Sequence, residues 1–259
     1  MKKPFLNPSL IVIVLILAAL TVTACAGSGG SPSEEPTSAP VGQEPMPVPD
    51  MSISRDILLD PANATVSDSL LIIDYLYEGL VSLESDAIVP ALAESWSVSN
   101  DGLDYIFNLR PNVTFHDGSV LNADAVIANF DRWFDKDNPA HASGEFAAWA
   151  ALFAGFKGET DQNGQPKSNY DGIEKVNDFT VLIHLNKPDD HFLAKLVNPA
   201  FSIVAPSAFN ADYFGTSLGK AIGTGMHMLK EWGQGSLILE PFLAYWNGIP
   251  SDSLEFHFR

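Results

Sequence analysis

Cysteine is nearly absent: Cys25 is the sole one in 259 residues. An intramolecular disulfide framework and a cysteine-based zinc site are therefore excluded. Positive charge is scarce as well, with 14 Lys and Arg against 32 Asp and Glu, a formal net charge of −18. So few cations cannot assemble a basic face, which excludes a nucleic-acid partner. Charged residues make up only 18% of the chain and hydrophobic ones 46%. That is too apolar for a disordered acidic protein. Internal repeats are lacking. The long apolar run near the start, from about Leu10 to Val22, is shorter than the ~20 residues of a membrane span.

That run fits an address instead. Lys2 and Lys3 precede it and small residues follow, the pattern of a secretory signal. Its end, Val22-Thr23-Ala24-Cys25, resembles the bacterial lipoprotein box, in which the signal is cut before a cysteine whose thiol is then acylated. Residues 1–24 are thus expected to be a lipoprotein signal peptide and Cys25 the lipidation site. Lipid would hold the protein on the extracytoplasmic face of the cell membrane. A short membrane anchor with an incidental cysteine is the alternative. Residues 25–50 are rich in Ser, Pro and Gly, and are expected to form a disordered tether.

Folded sequence is expected over residues 51–259. Ser52-Ile53-Ser54 reads as a short first strand, and Asp60-Pro61 as a turn. Leu70, Leu71, Ile73, Leu76, Tyr77 and Leu80 recur at helical spacing, predicting a helix over 67–80 capped by Ser67 or Asp68. Asn100-Asp101-Gly102 between two apolar segments predicts a hairpin. Asn122 or Asp124 opens an amphipathic helix carrying Val126, Ile127, Phe130, Trp133 and Phe134. A polar loop over 135–145 precedes a short aromatic helix over 146–156. Strands are expected at 179–185, 201–204 and 237–239, with a helix over 191–197. Leu254, Phe256 and Phe258 alternate with polar residues, a strand pattern. The mixture is α/β or α+β, with enough chain for a real core.

Certain segments carry a resemblance. They are Leu59-Asp60-Pro61-Ala62, Tyr77-Glu78-Gly79-Leu80-Val81, Val89-Pro90-Ala91-Leu92-Ala93-Glu94-Ser95-Trp96 and Ser99-Asn100-Asp101-Gly102-Leu103. Further on come Tyr105 to Arg110, Val113-Thr114-Phe115-His116-Asp117-Gly118, Ile222-Gly223-Thr224-Gly225, Leu229-Lys230-Glu231-Trp232 and Tyr245-Trp246-Asn247-Gly248. In this order and spacing the sequence resembles the extracellular solute-binding proteins of family 5, the oligopeptide-, dipeptide- and nickel-binding lipoproteins of ABC importers. Met226 and His227 stand where the family usually has Pro and Tyr.

The resemblance implies an α/β fold: a periplasmic-binding-protein type II-like lobe, mixed sheet with flanking helices. Family members are roughly twice as long and close two lobes on a ligand, so a second lobe is expected to be missing. The implied function is capture of peptides or similar small solutes for ABC permease subunits, with no enzymatic activity and no cofactor or metal. The alternatives are a truncated non-binding remnant or surface scaffold, and a surface hydrolase.

Site residues follow from the same resemblance. The stretch before Glu78-Gly79-Leu80 runs beside the peptide backbone in oligopeptide-binding relatives, so Thr65, Val66 and Ser67 are expected as backbone contacts; an ordinary helix-capping loop is the plainer reading. The loop before the aromatic helix faces the ligand cleft, which implies Phe146 and Trp149 as an apolar wall. Helical spacing of Phe146, Trp149, Phe153 and Phe156 fits core packing equally.

Other chemistry has less support. His116-Asp117 is adjacent in a turn and reads as structural, although it is the nearest thing to an acid–base pair. His184, His191 and His227 lack zinc-motif spacing, and His141 reads as a solvated loop residue. No Gly-x-Ser-x-Gly elbow is present. Gly223-x-Gly225 and Gly233-x-Gly235 are not phosphate loops.

Overall fold

The computed structural model describes residues 51–142, 144–209 and 213–259. The expected signal peptide, Cys25 and the tether lie outside the described residues.

Alternation builds the strands. Tyr105, Phe107 and Leu109 are buried while their neighbours are not, and Val181, Ile183 and Leu185 repeat the pattern. The element order is β1 (Ser52–Ile53), α1 (Ser67–Leu76), β2 (Val81–Glu84), β3 (Ala87–Pro90), β4 (Ala93–Val98), β5 (Asp104–Leu109), α2 (Ala123–Phe134) and α3 (Ala147–Phe153). After these come β6 (Tyr170–Asn177), β7 (Thr180–Leu185), α4 (Phe192–Leu196), α5 (Pro206–Phe209), β8 (His227–Trp232), β9 (Ser236–Pro241) and β10 (Leu254–Phe258).

Three sheets result. β4-β5-β7-β6 is antiparallel throughout, β2-β3 is a hairpin, and β1-β10-β9-β8 is mixed, with β1 parallel to β10. Each four-stranded sheet has its own core. One gathers Phe107, Phe130, Trp133, Trp149 and Phe192; the other gathers Ile53, Leu59, Ile72, Leu76, Leu237 and Phe256.

The expected hairpin forms between β4 and β5. Gly102 takes the left-handed conformation there (φ 73°), which glycine adopts without steric cost. Helix α2 begins as expected: the Asn122 side chain accepts from the Ala125 N–H at 2.9 Å, and Val126, Phe130 and Trp133 face the core.

Helix α1 departs from expectation at both ends. It stops at Leu76, because Tyr77 turns extended (φ −135°) and its hydroxyl donates to the Leu59 carbonyl at 2.9 Å. Its N-cap is Val66, with no side-chain cap. Asp68 instead accepts from the Ser54 N–H at 2.7 Å and from Arg259 at 2.9 Å.

Residues 201–204 are not a strand. The buried Asn129 side chain donates to the Val204 carbonyl at 2.8 Å and accepts from its N–H at 3.0 Å. A side chain thus replaces the ladder partner, and the apolar run is held as irregular backbone inside the core. Strands β2, β3, β6 and β8 and the short α5 went unread in the sequence.

Candidate functional site

A cavity of about 1020 Å³ opens among the loop 58–65, Arg132, the segment around 139–148, Asn198–Ala200 and the aromatic residues Phe209, Tyr213 and Phe214. Its floor is an ion pair. Arg132 Nη2 bonds Asp60 Oδ2, and both side chains are almost fully buried. Arg132 Nε also donates to the Ala140 carbonyl at 2.9 Å. The guanidinium carbon sits 4.9 Å from the Phe146 ring centroid, 5.3 Å from Phe209 and 5.1 Å from Phe214. Asp60 in turn accepts from the Ala62 N–H at 3.2 Å and from Asn63 Nδ2 at 2.8 Å. Every charge on the floor is thereby matched.

Above the floor, His141 Nδ1 donates to the Arg132 carbonyl at 2.7 Å, which leaves Nε2 as the acceptor nitrogen. Burial lowers the His141 pKa, and the Arg132 and Lys136 charges add to that, against the raising effect of the Arg132 carbonyl. The imidazole is buried rather than solvated, correcting the sequence reading. Its ring stacks on Phe146 with centroids 4.1 Å apart.

The expected contact residues divide. Thr65 lines the cavity, and Val66 and Ser67 are exposed beside it. Val66 is extended (φ −87°, ψ 135°). Its carbonyl accepts from Leu70, whereas the Thr65 N–H and carbonyl, the Val66 N–H and the Ser67 N–H have no hydrogen-bond partner among the described residues. Phe146 and Trp149 do not form a wall: each is only 1% exposed. Trp149 turns into the aromatic core and donates Nε1 to the Gly155 carbonyl at 3.0 Å. The polar neighbour Glu145 and the small Ala147 and Ala148 line the cavity in their place.

The histidines do not converge. His184 bonds Asp104 at 2.7 Å on the β5–β7 pair, and His191 precedes α4. His227 is buried edge-on against Tyr75, with ring centroids 5.5 Å apart. Its Nε2 donates to the Asp252 carbonyl at 3.0 Å. Among the described residues no three His, Cys, Asp or Glu come together as a metal set.

His116 is structural. Its Nδ1 accepts from the Gly223 N–H at 3.2 Å and its Nε2 donates to the Gly225 carbonyl at 3.0 Å. Both ring nitrogens are engaged, so it cannot act as a general base. The segment it holds, Gly223-Thr224-Gly225, lies against the end of α1. A Cβ on Gly223 would stand 2.0 Å from the Leu76 carbonyl oxygen, and one on Gly225 2.4 Å from that of Tyr75, so only glycine fits either position. Glu78 braces the same segment from below. It accepts from Thr224 at 2.7 Å, from Tyr245 at 3.0 Å and from Trp246 at 3.2 Å. Burial raises the Glu78 pKa, while these three donors and the Arg110 charge oppose the rise. Glu78, Thr224, Tyr245 and Trp246 were missed as a unit, since sequence separation hides them.

The His116 latch requires a neutral ring, because protonation removes the Nδ1 acceptor. Burial drives its pKa down from 6.5 to about 4, against the raising effect of the Gly225 hydrogen bond. A folded-state pKa below the unfolded one means the unfolded chain binds more protons. The stabilisation is complete above pH 6.5 and is lost as pH falls from 6.5 toward 4. Between pH 7 and pH 5 the wild-type chain should lose about 2 kcal/mol that His116→Gln does not lose. Urea unfolding of both at the two pH values measures this; parallel losses would refute the latch.

The sequence profile of the bacterial extracellular solute-binding proteins, family 5 Middle, matches residues 87–258. Glutathione-binding protein GsiB of Pectobacterium atrosepticum is 33% identical over 196 residues, covering 74% of this chain and 34% of that protein. The Salmonella typhimurium GsiB is 32% identical over the same length. The chain therefore spans about a third of the length of the curated relatives it matches. Among solved structures, the periplasmic binding protein DppA from Helicobacter pylori in complex with peptide STSA has a TM-score of 0.65 at 27% identity, over 78% of this chain and 40% of that one. HbpA2 from Haemophilus parasuis has a TM-score of 0.67 at 28% identity, over 78% and 41%. The fold is that of part of a type II periplasmic binding protein, with a mixed α/β lobe.

Proposed function

This chain belongs to the bacterial extracellular solute-binding proteins, family 5, and we propose that it captures peptides or similar small solutes for an ABC permease. The solute lies in the cavity over the Asp60–Arg132 pair, with its backbone beside Thr65 and Val66. One observation carries this reading: the Thr65–Val66 backbone at the cavity, extended at Val66, has N–H and carbonyl groups without hydrogen-bond partners among the described residues. Such groups pair with a peptide as an added strand does. The fixed floor beneath gives the rigid support a binding site needs.

The placement we propose is extracytoplasmic, with residues 1–24 as signal peptide, Cys25 as the acylated anchor and residues 25–50 as tether. The family's extracellular placement supports this. Catalysis forms no part of the proposal, since His116 is closed off by backbone.

NMR titration of the chain with trialanine or glutathione tests the reading. Saturable shifts are expected around residues 63–66 and 144–148. The affinity should be weaker than about 1 mM, because a single wall encloses the solute on one side and buries little of it. No saturable shift in either segment would count against the proposal.

A further inference from the structure

A second, smaller cavity of about 260 Å³ shares no lining residue with the first. It sits at one end of the β1-β10-β9-β8 sheet. Arg55 just after β1, Phe258 of β10, Trp232 of β8 and Gln234 of the β8–β9 turn line it, and Ser217 reaches it from the loop 213–220. Arg55 is its only charged residue. Arg55 Nη1 donates to the Gln234 carbonyl at 2.7 Å, and the guanidinium carbon lies 5.6 Å from the Phe258 ring centroid. Those contacts place the group without supplying a counter-charge. Among the described residues Arg55 has no ion pair, although acidic residues outnumber basic ones by 32 to 14. Arg132 and Arg259, by contrast, each pair with an Asp. Asp56 adjoins Arg55 in sequence, and Glu231 approaches the wall, its Oε1 3.5 Å from where a Cβ on Gly233 would stand. Neither lines the cavity or pairs with Arg55.

Hydrogen-bond donors surround this cation. Arg55 Nε and Nη2, the Trp232 indole N–H, the Ser217 N–H and hydroxyl, and the Gln234 N–H and carboxamide nitrogen have no partner among the described residues. The free acceptors of the side chains and loops here are all neutral: the Ser217 and Gln234 side-chain oxygens and the Ser217, Leu218 and Gly233 carbonyls. Ser217 rides on a closed turn. Thr216 donates to the Tyr213 carbonyl through its N–H at 3.0 Å and its hydroxyl at 2.8 Å, and the Gly219 N–H donates to the Thr216 carbonyl at 3.0 Å.

We propose that this second cavity binds a tetrahedral oxyanion, a phosphate or sulfate group. A guanidinium with free N–H groups is the side chain suited to such oxygens, and the hydroxyl, indole and amide donors supply further bonds. The volume lies below the ~300 Å³ at which pockets for larger ligands begin, which matches a small group. The site is independent of the solute-binding reading above.

The test is an NMR titration of the chain at pH 7 and constant ionic strength with inorganic phosphate, sulfate, glycerol phosphate and chloride. Phosphate and sulfate should give saturable shifts at the Trp232 indole N–H and at the Ser217 and Gln234 amides, with residues 63–66 unmoved, and chloride should not. Arg55→Gln should weaken phosphate binding about three- to tenfold, the range for one solvent-screened charge pair. Arg55 is exposed, so the change strands no buried charge. Ser217→Ala removes a donor that holds nothing in the fold and should weaken binding as well. Glycerol phosphate binding as tightly as phosphate would assign the site to a phosphate group on a larger molecule, and weaker binding would assign it to the free ion; both results keep the oxyanion. Chloride shifts equal to those of phosphate, or phosphate affinity unchanged in both variants, would overturn the proposal.

Discussion

Arg132→Ala is expected to destabilise the chain by about 3–5 kcal/mol, the cost of leaving one member of a buried pair alone. Asp60 would keep its charge in a site almost closed to water, with only the Ala62 N–H and Asn63 Nδ2 to solvate it. Three rings would also lose their cation at once. Against a total stability of about 5–15 kcal/mol for a domain, such a loss is large. Asp60→Ala should cost a similar amount by stranding the guanidinium, whose Nη1 is already buried without a hydrogen-bond partner among the described residues. The double variant should be clearly milder than the sum of the two, since it strands neither charge. Urea unfolding of all four proteins gives the coupling. Additive losses would show that the pair is not the unit holding the cavity floor together.

Trp149→Ala should be comparably severe, about 3–5 kcal/mol. The indole touches Phe153 at 4.4 Å and Tyr170 at 5.1 Å between centroids, and its removal also leaves the Gly155 carbonyl without its donor. Trp149→Phe keeps most of the volume and should cost much less, about 1–2 kcal/mol. Equilibrium unfolding separates this from the alternative role in a cleft wall. A wall residue would leave the unfolding midpoint in place and weaken only peptide binding.

Trp149 also shows where reading the sequence stops. Helical spacing says that Phe146, Trp149 and Phe153 share a face, but not whether that face meets solute or core. The structure puts all three rings inside. The strands β5 and β7 were legible because one face is buried and one is not, which imposes a period of two. Strand β6 was not: beyond Tyr170 its residues are mostly exposed, so no alternation survives. The run at 201–204 misled for the opposite reason. It is buried along its whole length, and groups remote in sequence take its hydrogen bonds: the Asn129 side chain holds Val204 and the Glu78 carbonyl accepts from the Ile203 N–H.

The candidate site divides the same way. Thr65 and the loop before α3 came from family motifs with local spacing, and both border the cavity. The Asp60–Arg132 floor joins residues 72 apart, and Glu78 reaches Tyr245 across 167. Pairings at such separations leave no periodic mark. Asp60-Pro61 was visible only as a turn, although its carboxylate anchors the floor.

A photoreactive tripeptide with a free amine, irradiated with the chain and mapped by mass spectrometry, tests the central claim most directly. Adducts are expected within residues 58–66 and 139–148, the two segments that line the cavity beside the Asp60–Arg132 pair, and excess unlabelled trialanine should suppress them. Adducts concentrated on the outer face of the β4-β5-β7-β6 sheet, or labelling that unlabelled peptide does not reduce, would contradict the account.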